Sequence, residues 1–532
     1  MNGALVPGLK LDRAALDRAR TSRDARFDGR FFIAVLSTKI YCRPICPAPT
    51  CRPENIRYYA TASAAAEAGF RPCLRCRPEA APASPAWLGA SAVVRRALRL
   101  IEEGALDDAS VSELALRLGI GSRHLRRLFV KHVGASPIAV AQTRRLHFAK
   151  RLIDETNLAM TEVALASGYS SVRRFNAAFR ASYRRTPSDL RRRRRGSVAS
   201  PDDGIVLRLA FRPPYDWSGL MQYLAARAVA GIERIDNRGY ARTIEVDGKP
   251  AAIAVRYAAD INAVEFGIHG APAAALFNLV SRARRMFDLS LDPASLAQAF
   301  DSDRLLAPLV KRYPGMRIPG AWDGFECAVR AVLGDGSPTA EQALVSRLVR
   351  HSGERIRTST LSCGALTHLF PGPAAIATAD LKGAGLAASR IRSLKDLAEA
   401  VLDGRVDFTS PADELVAALV QSAWLDQSTA QYVALRAQGE PDAFPAGHPV
   451  LLRSMAAMAI GGAGAQKRRG AVTPAGDTAE GWRPWRSYAA LLLWRADAEH
   501  TEALVSELRA TGSARTAAAE RPGPLWPLAP AS

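Results

Sequence analysis

No run of roughly 18 uncharged apolar residues occurs in the chain, and its opening stretch MNGALVPGLKLDRAALDRAR holds no apolar core of signal-peptide length. These absences exclude a membrane-spanning reading and lead us to expect a soluble, cytoplasmic protein with no membrane partner. Acidic residues are scarce beside basic ones: 51 Asp and Glu against 72 Lys and Arg leave a formal charge of +21. A surface so basic attracts polyanions, of which nucleic acid is the commonest large one in a cell. Cysteine is scarce outside one place. Of the seven, Cys42, Cys46, Cys51, Cys73 and Cys76 fall together near the N-terminus, and only Cys327 and Cys363 stand apart. An odd, clustered set in a chain without an export signal argues against a disulfide framework and for metal binding.

What is present is ordinary globular material, with 48% hydrophobic and 23% charged residues in 532, enough for several cores. Texture separates five segments: 1–82 with the cysteines, an arginine-rich helical 91–195, 204–285 with alternating strand patterns, helical 286–500, and a polar 501–532 expected to be disordered. Ala/Pro/Ser-rich EAAPASPAW and GSVASPDDG read as linkers. The fold class expected is a multidomain α+β protein.

Cys42-x3-Cys46 and Cys73-x2-Cys76 supply the four thiolates of a tetrahedral zinc site. On spacing alone a structural zinc is the commoner use. The segments FDGRFFIAVLSTKIYCRPICPAPTC, ENIRYYATASAAAEAGF and RPCLRCRPE, however, resemble the zinc domain of the Ada family of alkylation-response proteins. That resemblance implies that the ligands are Cys42, Cys46, Cys73 and Cys76, and that Cys42 takes a methyl group irreversibly from a DNA methylphosphotriester. Zinc ligation suits that chemistry, because the thiolate is the nucleophilic form of cysteine. Arg43, Arg71 and Arg75 flank the ligands and are the natural phosphate contacts, with solvated surface as the plain alternative. Cys51 reads as an idle small residue.

In VSELALRLGIGSRHLRRLF, Val111, Leu114, Ala115 and Leu118 share one helical face and Gly119 breaks the helix. The next helix buries Leu125, Leu128 and Phe129 and leaves Arg123, His124, Arg126 and Arg127 outside, the layout of a recognition helix. The grammar returns in TEVALASGYSSVRRFNAAFRASYRRTP, where Gly168 matches Gly119, Phe179 matches Phe129, and Arg173, Arg174, Asn176 and Arg180 face outward. Together the two units resemble the all-α double helix-turn-helix domain of AraC-type regulators. Arg191 to Arg195 either track phosphates or end the last helix in solvent.

From Ile205 onward, RPPYDWSGLMQYLAARAV, PGMRIPGAWDGFECAVRAVLG, TAQYVALR and WRPWRSYAALLLW resemble the AlkA-type DNA-3-methyladenine glycosylases, a small α+β domain followed by an all-α helix-hairpin-helix domain. The resemblance implies a flipped base held among aromatics, with Trp217, Tyr240 and Trp322 as stacking candidates. Three segments depart from the family. Trp424 and Asp426 replace the two glycines of the hairpin, so its tight turn is not expected and a carboxylate would face phosphate. His448 occupies the place of the catalytic aspartate and cannot supply its fixed negative charge; Asp442 is the nearest other carboxylate. GDGSPTA replaces a Gly-Gln-Gln-Val-Ser type stretch. Their joint failure reads as decay of the catalytic site.

The expected protein is therefore an alkylation sensor, a single-turnover methyltransferase coupled to AraC-type regulation, with zinc as cofactor and a glycosylase-like half that binds DNA but is impaired. Its partners are alkylated and promoter double-stranded DNA, and RNA polymerase, and it acts as a monomer. The rival is a working glycosylase with an Ada-type targeting half, and a third reading is a zinc-stabilised regulator without chemistry. No Pro-Cys-His-Arg motif occurs, so direct repair of O6-methylguanine is not expected.

Overall fold

A computed structural model of the chain describes residues 12–49, 51–82, 92–107, 109–192, 204–334, 337–356, 365–423, 425–461 and 479–510. The chain divides into two compact units, residues 1–213, 246–284 and 289–292 in the first and 214–245, 285–288 and 293–532 in the second.

The first unit opens with α1 (Arg13–Ser22), whose N-terminus is capped by the Asp12 carboxylate. A four-stranded sheet follows: β1 (Phe32–Val35), β2 (Ile40–Cys42), β3 (Ile56–Tyr59) and β4 (Arg71–Pro72) in the order β3-β1-β2-β4. α2 (Ala62–Glu67) starts from the cap Thr61. β1 is buried along its whole length because both faces are covered. Ile33 packs with Leu16 of α1, Phe31 and Tyr58, whereas Phe32 and Ala34 face Tyr41, Ala65 of α2 and Phe70.

Seven helices come next: α3 (Ala92–Glu102), α4 (Val111–Arg117), α5 (Ser122–Val133), α6 (Pro137–Glu155), α7 (Met160–Ala166), α8 (Val172–Tyr183) and α9 (Pro187–Arg192). Ser110 and Glu113 form a capping box that starts α4, and Ser171 caps α8. Gly119 (φ 67°) and Gly168 (φ 75°) make the two turns in the left-handed region. The expected face of Val111, Leu114, Ala115 and Leu118 is buried with Leu125 and Phe129. Helix α6 is more than a connector: ten of its 19 residues are buried, including Lys150 and Arg151. Arg191 donates to the Leu158 carbonyl (2.6 Å) and Arg192 pairs with Asp189; 193–195 and both linker cores lie outside the described residues.

The strands expected after residue 204 are present. In the first unit β5 (Ile205–Ala210) and β8 (Lys249–Ala258) both pair antiparallel with β9 (Ala263–His269), and α11 is Leu276–Met286. In the second unit α10 (Trp217–Ala225) precedes the hairpin of β6 (Glu233–Asp236) and β7 (Gly239–Val246).

The rest of the second unit is helical: α12 (Pro293–Phe300), α13 (Leu306–Arg312), α14 (Gly324–Leu333), α15 (Pro338–Ser352), α16 (Pro373–Thr378), α17 (Ala388–Leu402), α18 (Ala412–Ala423), α19 (Gln427–Gln438), α20 (Pro449–Gly461) and α21 (Arg486–Ala510). The hairpin turn departs from expectation. α18 ends at Ala423 and α19 begins at Gln427, with Asp426 as a strong N-cap whose carboxylate accepts the Thr429 N–H at 2.9 Å. Trp424 and residues 335–336 lie outside the described residues, but Ser337 caps α15, so the GDGSPTA segment ends in an ordinary helix start. The final helix continues to Ala510, past the expected boundary at 501, since TEALVSELRA is built from good helix formers. Among the described residues no helix is long and apolar enough to cross a membrane.

Candidate functional site

β2 ends on Cys42, and Cys73 follows β4 directly. Because β4 runs parallel to β2, with Tyr41 opposite Pro72, both strands deliver a cysteine to the same end of the sheet. Cys46 returns there through a turn in which its N–H donates to the Arg43 carbonyl (3.1 Å), and the Cys73–Arg77 turn brings in Cys76. The four Sγ atoms lie within 4.8 Å of one another. Zinc held by four sulfurs at about 2.3 Å places them roughly 3.8 Å apart, so the cluster fits the ion, and an all-sulfur donor set disfavours magnesium and calcium. Zinc is the cofactor this centre holds. Cys51 is outside the cluster and packs against the core of Phe31, Ile33 and Tyr58.

Cys42 and Cys46 are half-buried, and Cys73 and Cys76 are buried. Cys42 lines a cavity of about 350 Å³ with Ile33, Ile40 and Ile56 as apolar walls and Arg71 and Arg75 also in its lining. Arg75 is exposed and Arg71 half-buried. Arg43 lines the same cavity, and its guanidinium is engaged by the buried Asp28 carboxylate (Nε–Oδ1 2.8 Å) and the Cys76 carbonyl (3.0 Å). The reason is electrostatic, since Asp28 needs a charged partner once buried. Arg43 also donates its backbone N–H to Cys76 Sγ at 3.3 Å, a hydrogen bond that favours the thiolate.

The two helix-turn-helix units repeat their burial at a spacing of 50 residues. Leu125, Phe129 and Val133 are buried in α5, as are Phe175, Phe179 and Tyr183 in α8. Arg123, His124, Arg126 and Arg127 are exposed on α5, and Arg173, Arg174 and Arg180 on α8, with Asn176 half-buried beside them. Each helix therefore offers a basic outer face supported by an aromatic or aliphatic inner one.

In the second unit His448 is 2% exposed and sits at the start of α20. Its Nδ1 accepts the Trp494 indole N–H at 3.0 Å and the Val450 N–H at 3.3 Å, so the ring carries its hydrogen on Nε2 and caps the helix. Trp494 lies edge-on to His448 (centroids 4.9 Å apart) and Tyr432 packs on Trp494 (6.1 Å). Neither aromatic was singled out from the sequence, and both are buried, on α19 and α21. Of the expected stacking candidates, Tyr240 and Trp322 are buried, Tyr240 donates to Glu233 (2.7 Å), and both Tyr240 and Trp217 pack on Phe287. Asp442 is tied to Arg483 and Arg486.

A zinc-thiolate centre, two helix-turn-helix units and a glycosylase-like helical half define a multidomain α+β DNA-binding protein of the repair class. The metal binding domain of Ada matches residues 15–79, a helix-turn-helix domain 114–193 and the AlkA N-terminal domain 206–323. The probable bifunctional transcriptional activator/DNA repair enzyme AlkA of Mycobacterium tuberculosis is 39% identical over 487 residues, 90% of this chain and 95% of the relative. DNA-3-methyladenine glycosylase 2 of Escherichia coli is 34% identical over 298 residues, 54% of this chain and 95% of that protein. The bifunctional transcriptional activator/DNA repair enzyme Ada of Escherichia coli is 40% identical over 131 residues, 25% of this chain and 35% of that protein. The chain belongs to the family of bifunctional Ada/AlkA proteins, DNA repair enzymes that are also transcriptional activators.

Proposed function

We propose that Cys42 accepts a methyl group from a methylphosphotriester in DNA, once per molecule, and that the methylated chain acts at promoters. The supporting observation is the half-buried Cys42 sulfur, a member of the four-cysteine cluster that also lines a cavity with Arg71 and Arg75. Bound zinc keeps the cysteines as thiolates at neutral pH. Cys42 Sγ attacks the methyl carbon; an S–C bond forms as the C–O bond breaks, and the electron pair leaves on the phosphate oxygen as a phosphodiester. Arg71 and Arg75 hold the neighbouring phosphates. The transfer removes one negative charge from a surface that faces DNA, which strengthens binding.

In this reading segment 1–82 carries the methyl acceptor, 91–195 reads promoters, and 204–285 with 286–500 forms the glycosylase-like half. Arg123, His124, Arg126 and Arg127 enter one major groove and Arg173, Arg174, Asn176 and Arg180 the next, about 34 Å along. Two motifs on one chain let a monomer do this, with RNA polymerase as the partner in activation. Base excision is impaired, because His448 has no carboxylate and its Nδ1 is taken up by the Trp494 and Val450 N–H groups, while Asp442 is committed to arginines.

The test is incubation with duplex DNA bearing methylphosphotriesters, followed by intact-mass and peptide analysis. One methyl group on Cys42, absent from Cys42→Ser, is expected. An unmodified Cys42 in zinc-loaded protein overturns the proposal.

A further inference from the structure

Residues 206–284 fall within the match to the AlkA N-terminal domain, yet several of them pack on the helices that carry the two helix-turn-helix motifs. Strand β5 lies against α6, where the Arg208 N–H donates to Glu155 (2.9 Å), and the turn Ala273–Ala275 packs on α7. On α11, Ser281 donates its hydroxyl to the Glu102 carbonyl at the end of α3 (3.4 Å). Phe277, half-buried on the same helix, meets α6 twice. The Arg144 guanidinium lies over its ring (3.9 Å), and Phe148, one turn further along α6, packs edge-on against it (4.8 Å).

Held in this way, Arg144 directs its donors to the junction of the two motifs. It donates to the Glu102 carbonyl (3.2 Å) and to both oxygens of Asp107 (2.8 and 2.7 Å), and Arg145 adds a further bond to that carboxylate (2.8 Å). Asp107 precedes the capping box that opens α4 in the first motif. It also lies against the Gly168 turn between α7 and α8 in the second, where a Cβ would meet its oxygen at 2.6 Å. The carboxylate is thus a wedge between the motifs, fixed by Arg144, which is fixed in turn by a ring from the glycosylase-like half.

We propose that the first part of the glycosylase-like half braces the promoter-reading segment, setting the angle between its two motifs, with Phe277 as the positioning residue. The ligand this favours is a duplex with two half-sites at one fixed spacing. This role rests on the reading that α5 and α8 enter successive major grooves. When one motif is bound, the second meets its own groove at an effective concentration that depends on how narrowly the junction confines it. A ring that locks Arg144, together with the turn on α7, confines it from outside the two motifs. Removing the ring widens the range of angles without touching any residue that faces DNA. Affinity for the paired site therefore falls while affinity for a single half-site stays the same.

The experiment is fluorescence anisotropy on the full chain with three probes: a duplex enriched from a random pool by the wild-type protein, the same duplex with one half-site scrambled, and the same duplex with two base pairs inserted between the half-sites. The insertion turns one half-site by about 70° relative to the other. In the wild type it is expected to cost about tenfold in affinity or more. In Phe277→Ala, affinity for the enriched duplex falls about tenfold, the scrambled duplex is bound as before, and the insertion costs less than about threefold. An insertion penalty as large as that of the wild type overturns the brace while the two-groove reading stands. Wild-type protein that binds the scrambled duplex as tightly as the enriched one overturns both. If Phe277→Ala also loses the scrambled duplex, its helices are lost rather than their angle. Phe277→Leu, which keeps apolar volume without the ring, then decides, and an unchanged insertion penalty there likewise overturns the brace.

Discussion

Trp494 and His448 are joined by a 3.0 Å hydrogen bond from the indole N–H to Nδ1, and Val450 donates its N–H to the same atom. Both donors ask for an acceptor at the start of α20, which histidine provides as well as aspartate does. In the proposed reading His448 stands where an aspartate would supply a fixed negative charge. Incubated with alkylated duplex DNA, the wild type is expected to release no free 3-methyladenine above background, and His448→Asp to raise release by about 10²-fold, the scale of one well-placed electrostatic group. Release by the wild type would establish a working glycosylase.

Gly119 and Gly168 make equivalent turns in unequal surroundings. A Cβ at Gly168 would lie 2.6 Å from an Asp107 carboxylate oxygen, and Asp107 is held by Arg144 and Arg145; at Gly119 nothing lies within 4 Å. Gly168→Ala should therefore cost about 2–3 kcal/mol, against about 1 kcal/mol for Gly119→Ala, which has only the backbone term. Thermal unfolding of the two variants checks this, and equal midpoints would contradict it.

Arg43 and Arg75 should separate cleanly. Arg75→Ala is expected to weaken DNA binding regardless of sequence and to reduce the salt slope by about one. Arg43→Ala leaves Asp28 buried without its charged partner, so the expected result is a loss of about 3–5 kcal/mol in stability and weaker zinc retention. A chelator competition and a salt titration on each variant decide between the roles.

On the recognition helices, Arg126→Ala and Arg174→Ala should each cost about 1–3 kcal/mol in binding to a selected duplex and relax its sequence preference. A loss that is uniform over unrelated duplexes would show phosphate contact instead.

Burial raises Asp288 to about 6, opposed by Arg317 and by hydrogen bonds from Tyr488 (2.8 Å) and the Ile318 N–H (3.1 Å). The folded state thus binds this proton more tightly than the unfolded state does. Stability linked to Asp288 is greatest below about pH 4 and falls as pH rises to about 6, by about 3 kcal/mol in total. Asp288→Asn should flatten the fall over that window in chemical denaturation at a series of pH values; an unchanged profile would assign the shift elsewhere.

Much of the site was legible in the chain. The Cys42-x3-Cys46 and Cys73-x2-Cys76 pairs, the buried positions 125 and 129 with their partners 175 and 179, and the outward arginines between them all follow from short-range spacing. The packing of Trp494 on His448 and of Tyr432 on Trp494 did not, because the three lie on separate elements and the aromatics read locally as core residues. At Asp426 the loss of glycine was visible, but the N-cap bond to Thr429 needed the backbone around it.

Ligand spacing and helical period are properties of neighbouring residues, so the sequence by itself determined the zinc centre and the paired helix-turn-helix units. Which charged or polar group finds which partner depends on approach between distant parts of the chain. Only the tertiary structure could turn Arg43 inward to Asp28, bring Tyr41 to His147 across 106 positions, and bury a connecting helix among the segments it joins. Burial raises the cost of an unpaired group, and that cost, paid nowhere in the linear pattern, selects those partners.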